Sequence, residues 1–390
     1  MKRELTCRAC NGKELALLDM PTNSFITSDC NKWQGSNPQF YVCDCKYVGK
    51  VLNDSYKDSL DLSYKSYEPY WQNRKPGTPS AAVSEQKSLD ITSSKFLSRS
   101  DLLVSYLFNK TSLLEENYTP CTILEYGCGS APFIDALENS EIENYVVDLA
   151  DLNDINYEVI SKKSSFRKFY NITNQLLDQT YDLITLVHVL EHVDNPVVLL
   201  NNLSESLTGN GKILVQIPNS SINPFDFIIA DHLSHFSLAN IIKLIQKTDL
   251  KVFDYSVETV PKEITLLLGK NHNEIELPNF DDKLALPINF FYDYENLINK
   301  LTSEHEIIIF GTSIGALWLT SEIQRRGLKI AAYLDEDEGR VGNNINYVEI
   351  KHPRDFNLPK SGVVLIPLAP ILVTEIFRKY PKFKESMNLG

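Results

Sequence analysis

One segment constrains this chain more than any other. Ile123-Leu124-Glu125-Tyr126 is a short apolar strand running straight into Gly127-Cys128-Gly129-Ser130. Two glycines in three residues let the backbone take conformations closed to other residues and approach a ligand closely. A helix after such a turn aims its N-terminal N–H groups at the same spot. The rest of the region repeats this grammar. Asn144-Tyr145-Val146-Val147-Asp148, Tyr181-Asp182-Leu183-Ile184-Thr185-Leu186 and Lys212-Ile213-Leu214-Val215-Gln216-Ile217 read as buried strands spaced by helices. That pattern predicts an α/β fold with a doubly wound, Rossmann-like sheet.

Spacing then suggests which ligand. Asp148 follows the glycine turn by about 20 residues, where a carboxylate meets ribose hydroxyls, with Leu149 beside it. Asn171 and Ile172 close a third strand where an adenine edge can be read, and His188 follows the fourth strand, shaping the pocket edge through its backbone. A nicotinamide fingerprint requires a third glycine in G-x-G-x-x-G. Pro132 occupies that position and excludes it.

At Glu125, Gly127, Cys128, Gly129, Asp148 and the run His188-Val189-Leu190-Glu191-His192-Val193, the chain resembles the class I S-adenosylmethionine-dependent methyltransferases. In that class an E-x-G-C-G turn, a ribose acid and an H-x-L-E-H-V segment recur in this order. The resemblance covers about residues 95 to 255 and implies S-adenosylmethionine as cofactor.

Cysteine placement adds a second feature. Five of seven cysteines (Cys7, Cys10, Cys30, Cys43 and Cys45) fall in the first 45 residues. Cys7, Cys10, Cys43 and Cys45 form a candidate set of four thiolates for a structural Zn2+, which staples modules too small for a large core. The second pair is C-x-C in place of C-x-x-C, so Cys30 is an alternative to Cys43 or Cys45.

A second strand–turn–helix begins at Glu306-Ile307-Ile308-Ile309-Phe310, with Gly311 and Gly315 in its turn and Asp335 at the end of the next strand. The chain therefore divides into a zinc-binding module (1–60), a tyrosine-rich connector (61–94), a methyltransferase domain (95–258) and a smaller Rossmann-like C-terminal domain (259–390). The C-terminal turn has two readings: Thr312 and Ser313 hydrogen-bond a phosphate, or the glycines only permit tight packing.

This layout resembles the sugar C-methyltransferase family that acts on nucleotide-linked keto-deoxysugars. Matching pieces are Cys7-x-x-Cys10, the aromatic stretch from Tyr64 to Trp71, His192, Asp231-His232-Leu233-Ser234-His235-Phe236-Ser237, and Phe310-Gly311-Thr312-Ser313-Ile314-Gly315-Ala316. The resemblance implies that His232 is the base removing a proton beside the keto group, with Asp231 orienting it. It gives His192 the part of holding or polarising the sugar, and Tyr67 or Tyr70 a contributed hydroxyl. Imidazole suits the base role because its pKa lies near the working pH. His235 is expected to pack or bond near the following helix. Where the family has tyrosine and histidine before the acid, this chain has Ile229 and Ala230. O-methylation of a sugar hydroxyl therefore stays open beside C-methylation.

Charge narrows the partners. Thirty-eight Lys and Arg against 51 Asp and Glu give a net charge of −13, which disfavours a nucleic-acid backbone and an RNA methyltransferase. The intact glycine turn disfavours a non-catalytic binding protein. No apolar run nears the roughly 18 residues of a membrane span, and the first residues lack a secretory pattern. The expectation is a cytoplasmic enzyme acting on a small molecule, with no nucleic acid or membrane partner and with its oligomeric state open.

Overall fold

A computed structural model describes residues 5–65, 88–89, 96–113, 119–140, 142–270 and 288–386; Tyr67 and Tyr70 lie outside them. Eighteen strands are numbered in chain order: β1 (Leu15–Leu18), β2 (Phe40–Cys43), β3 (Val48–Lys50), β4 (Ser88–Leu89), β5 (Phe96–Leu97), β6 (Cys121–Tyr126), β7 (Tyr145–Asp151), β8 (Phe166–Asn171), β9 (Tyr181–Val187), β10 (Leu207–Pro218), β11 (Ser234–His235), β12 (Lys251–Ser256), β13 (Glu263–Gly269), β14 (Glu306–Phe310), β15 (Ile330–Leu334), β16 (Asn344–Ile345), β17 (Val348–Lys351) and β18 (Gly362–Leu365).

The central sheet has seven strands in the order β12-β13-β10-β9-β6-β7-β8, with β13 antiparallel to both neighbours. Its middle strands are apolar on consecutive residues because helices cover both faces. Ile123, Leu183 and Leu214 pack with Leu103, Leu107, Phe133 and Leu137 from helices Arg99–Lys110 and Pro132–Glu138. Their neighbours Leu124, Ile184, Ile213 and Val215 pack on the other face with Leu200, Leu203, Ile241 and Leu244, from helices Pro196–Glu205 and Leu238–Ile245. The strand order reverses around β6, and at such a switch point a crevice opens at the carboxyl ends of the strands. The glycine turn lies there.

The N-terminal sheet runs β1-β2-β3-β11. Its last strand comes from the central part of the chain: Ser234 pairs with Gly49 and His235 with Val48. The sequence predicts only a lead-in to a helix there, because a two-residue strand leaves no periodic signal. Residues 306–365 form a separate five-stranded sheet, β16-β17-β15-β14-β18, in which β14 lies parallel to β15 and β18.

Apolar packing crosses the expected boundaries at 60 and 258. Phe25, Trp33, Phe40 and Tyr56 share one cluster with Phe225, Phe227 and Ile228 and with Phe291 and Trp318 of the C-terminal part. Residues 225–235 therefore sit where all three parts meet. Among the described residues no helix is long and apolar enough to cross a membrane.

Candidate active site

The cleft above β6 is built by backbone conformation. Gly127 (φ 72°) and Gly129 (φ 52°) are both left-handed. A Cβ on Gly127 would stand 2.4 Å from Val189 Cγ2, so alanine there would combine strain with a clash. The cleft is lined by Arg99, Glu125, the turn itself and His188. Glu125 is buried, with one carboxylate oxygen lacking a hydrogen-bond partner. Burial holds its carboxyl well above the usual range.

Asp148, the expected ribose acid, is turned away from the glycine turn, and Asp151 is the acid of this strand that reaches it. β7 continues three residues beyond Asp148, in register with β6 through Tyr126 and Ala150. Asp148 is fully buried. Its oxygens accept from Arg167 Nε (2.8 Å) and Nη2 (2.7 Å) and from the Tyr181 hydroxyl (2.7 Å). Asp151 instead reaches the glycine turn, accepting from Gly129 N at 2.8 Å and Leu152 N at 2.7 Å. Leu149 is likewise corrected: it is fully buried in the core beneath the cleft. Cys128 is buried, and its N–H donates to Ala150 O at 3.1 Å. Asn171 pairs with Asp151 at the strand ends, and Ile172 N donates to Asp151 O at 3.0 Å. Both therefore lie beside Asp151 at the carboxyl end of the sheet.

A larger cavity of about 180 Å³ adjoins this cleft and shares Arg99 and His188 with it. Three parts of the chain wall it: Ser28 and Cys30 from the N-terminal part, Phe225, His232 and Lys262 from the centre, and Ser313–Gly315 with Pro367–Ala369 from the C-terminal sheet. His188 does more than its backbone (φ 55°) was expected to do. Its Nδ1 lies 2.9 Å from Glu191 Oε1 and its Nε2 3.1 Å from Glu263 Oε2, while Arg99 Nη2 donates to Glu263 Oε1 at 2.7 Å. Burial and the Arg99 guanidinium oppose its protonation, but Glu263 and Glu191 outweigh them and raise His188 to about 9.

His232 and His192 come together, their rings edge to face at 4.7 Å. The partner of His232 is corrected from Asp231 to Asp226. Its Nδ1 stands 2.6 Å from Asp226 Oδ1, and His235 Nδ1 takes Oδ2 at 2.6 Å. Asp231 turns the other way, accepting from Ser28 N at 2.7 Å and facing His192 Nδ1 at 3.4 Å. Asp226 was missed because it precedes its imidazole by six residues in a one-turn 3₁₀ segment, Pro224–Ile228. His235 is fully buried and stacks on Phe227 at 4.5 Å. Burial brings it down to about 4 despite Asp226, so it stays neutral.

At Ile229 and Ala230 the backbone carbonyls are bonded. Lys50 Nζ donates to the carbonyls of Ile229 and, at 3.0 Å, Ala230, and the Tyr56 hydroxyl donates to Ala230 O at 2.5 Å. Burial lowers Lys50 to about 7, with Asp226 and Asp231 pulling the other way. Of the aromatic stretch, Tyr64 reaches the histidines, its hydroxyl 3.4 Å from His192 Nδ1.

Cys7, Cys10, Cys43 and Cys45 converge, their sulfurs all within 4.8 Å of one another. Cys7 and Cys45 stand 3.7 Å apart, Cys10 and Cys43 3.3 Å. Zn–S bonds of about 2.3 Å at tetrahedral angles require sulfurs about 3.8 Å apart, so the set fits such an ion. Backbone N–H groups of Cys10 and Gly12 point at Cys7 and Cys10 sulfurs (3.4 and 3.3 Å). Cys30 is elsewhere, in the cavity wall against Ile314 and Leu317.

The C-terminal turn favours packing over ribose binding. Asp335 accepts from Thr312 Oγ1 (2.5 Å) and Arg340 Nη1 (3.1 Å). A Cβ on Gly315 would stand 2.4 Å from Pro367 O and 2.8 Å from Phe225 Cε1.

A family described as "Methyltransferase domain" matches residues 101–255. The chain is 23% identical over 215 residues to the ubiquinone biosynthesis O-methyltransferase of Rickettsia typhi, covering 51% of this chain and 83% of that protein. Among solved structures, the mitomycin 7-O-methyltransferase aligns with TM-score 0.37 and 12% identity, over 44% of this chain and 53% of its own length. An S-adenosylmethionine-dependent methyltransferase from Clostridium acetobutylicum aligns with TM-score 0.34 and 12% identity, over 44% of this chain and 89% of its own. The matched residues run from within the helix before β6 into β12 and take in the glycine turn and His188, so the chain carries a methyltransferase domain and is an S-adenosylmethionine-dependent methyltransferase.

Proposed function

We propose that this enzyme moves the methyl group of S-adenosylmethionine to a sugar, a nucleotide-linked keto-deoxysugar of surface polysaccharide or deoxysugar biosynthesis. The observation that carries the reading is the shared wall: the cavity lined by His232 and the glycine-turn cleft have Arg99 and His188 in common. The cofactor supplies an electrophilic methyl on a sulfonium. Glu125, Gly127–Gly129 and Asp151 are the residues to hold it, with Asn171 and Ile172 beside Asp151. An acceptor in this cavity would lie between three parts of the chain and be partly shielded from water, which strengthens polar contacts there. By resemblance His232 is the base, and Asp226, not Asp231, fixes its tautomer by taking the Nδ1 proton. His192, tied by Nδ1 to the Asp231 carbonyl at 3.0 Å, is the group to hold or polarise the acceptor.

O-methylation is the second reading. Ile229 and Ala230 remove the tyrosine and histidine of the C-methylating pattern, and the Rickettsia relative is named an O-methyltransferase. Around this site the proposed organisation is a zinc-stapled N-terminal module held by Cys7, Cys10, Cys43 and Cys45, the methyltransferase domain, and a C-terminal Rossmann-like domain closing the cavity. The proposed setting is the cytoplasm. The test is transfer of labelled methyl to a panel of nucleotide-linked ketosugars and hydroxysugars, with the product bond read by NMR. A new C–CH3 or O–CH3 resonance on sugar separates the two readings, and transfer to no sugar refutes both.

A further inference from the structure

We propose that Glu191, His192 and His232 form a binding site for a divalent first-row cation in the acceptor region. One ligand atom from each of the three lies within 4.8 Å of the other two. Two imidazoles and one carboxylate suit such cations and leave positions open for oxygen ligands.

The groups behind these residues are arranged as ligands require. His192 Nδ1 stands 3.0 Å from the Asp231 carbonyl, and His232 Nδ1 2.6 Å from Asp226 Oδ1. Each ring thus spends its N–H on an oxygen and keeps the lone pair of Nε2, the outer-shell pattern of metal-ligating histidine. Glu191 gives the independent sign. It is fully buried; Oε1 is bonded to His188 Nδ1 at 2.9 Å, while Oε2 has no hydrogen-bond partner. An unpaired oxygen on a buried carboxylate is costly, and a cation shared by Glu191 and the two imidazoles would satisfy it. Of the three, His232 lines the acceptor cavity, and the His192 side chain is 18% exposed.

The inference rests on the cavity being the acceptor site, and it reassigns His232 from base to ligand. Its ligand class is an acceptor with a carbonyl or hydroxyl oxygen that joins the cation, which stabilises the negative charge developing on that oxygen.

Mn2+ is the probe, because nitrogen and carboxylate donors accept it whereas thiolates select softer ions. Titration into the purified enzyme, followed by loss of the free-ion EPR signal, is expected to show one bound ion per chain. Affinity should fall at least about tenfold in Glu191→Gln and in His192→Asn; His192, the less buried, serves if the glutamine variant does not fold. No bound Mn2+ at millimolar concentration, or binding that the folded variants leave intact, overturns the proposal. Binding is read without cofactor or acceptor, so this outcome is separate from a failure of sugar transfer.

Discussion

Exchanging the two acids of β7 for their amides, one at a time, separates a structural carboxylate from a ligand-binding one. Asp148 is fully buried and holds two guanidinium N–H groups and a phenol. Asp148→Asn leaves the Arg167 charge facing a neutral amide, and removing one partner of a buried pair costs about 3 to 5 kcal/mol. Arg167 is 37% exposed, so solvent screening reduces the expected loss to about 2 kcal/mol. Asp151→Asn puts an amide NH2 opposite Gly129 N or Leu152 N and loses one backbone hydrogen bond, about 1 kcal/mol; with the proposed ribose contacts on Asp151, affinity falls by about 1.5 to 3 kcal/mol, or about 10- to 100-fold. Urea denaturation and calorimetric titration with S-adenosylhomocysteine measure the two effects on both variants. The prediction is the larger drop in denaturation midpoint for Asp148→Asn and a direct affinity loss for Asp151→Asn. A stable Asp148→Asn protein that fails to bind, beside an Asp151→Asn protein that binds normally, would refute the corrected assignment.

Three further outcomes follow from individual contacts. Burial raises the pKa of Glu263, but Arg99 and His188 outweigh it and bring it from the usual 4.5 down to about 2. That contribution is present above pH 4.5 and is lost as pH falls through about 2. At about 1.4 kcal/mol per pH unit it amounts to about 3 kcal/mol, so the wild-type acid destabilisation should flatten in Glu263→Gln. Metal analysis is expected to find one zinc per chain that Cys30→Ser retains and Cys45→Ser weakens; equal loss in both would restore Cys30 as a ligand. In Gly315→Ala the added Cβ presses on Pro367 and Phe225, so methyl transfer should fall about tenfold or more, as positional errors in active sites do, with S-adenosylhomocysteine affinity unchanged.

The sequence speaks clearly where periodicity and turn chemistry coincide. The β6 turn and the strands around it are legible because buried parallel strands are apolar on both faces and only glycine makes that turn cheaply. The end of β7 is not: Asp148 interrupts an apolar run and imitates a strand terminus, although Leu149 and Ala150 continue the strand to Asp151. The Cys cluster is legible as a type, but only the fold removes Cys30, which sits in the cavity wall. Asp226, Lys50 and Tyr56 escaped because their partners lie on other elements, up to 180 residues away, and such contacts leave no periodic mark. The same holds for β11, which joins the N-terminal sheet through two residues.

The most direct test of the account is a crystal structure with S-adenosylhomocysteine and a nucleotide-linked sugar bound together. The predicted result has the homocysteine on the Gly127–Gly129 turn, the ribose on Asp151, and the sugar between the sulfur and the His192–His232 pair. A ribose held by another acid, or a sugar bound outside the cavity walled by Ser28, Phe225 and Gly315, would contradict it.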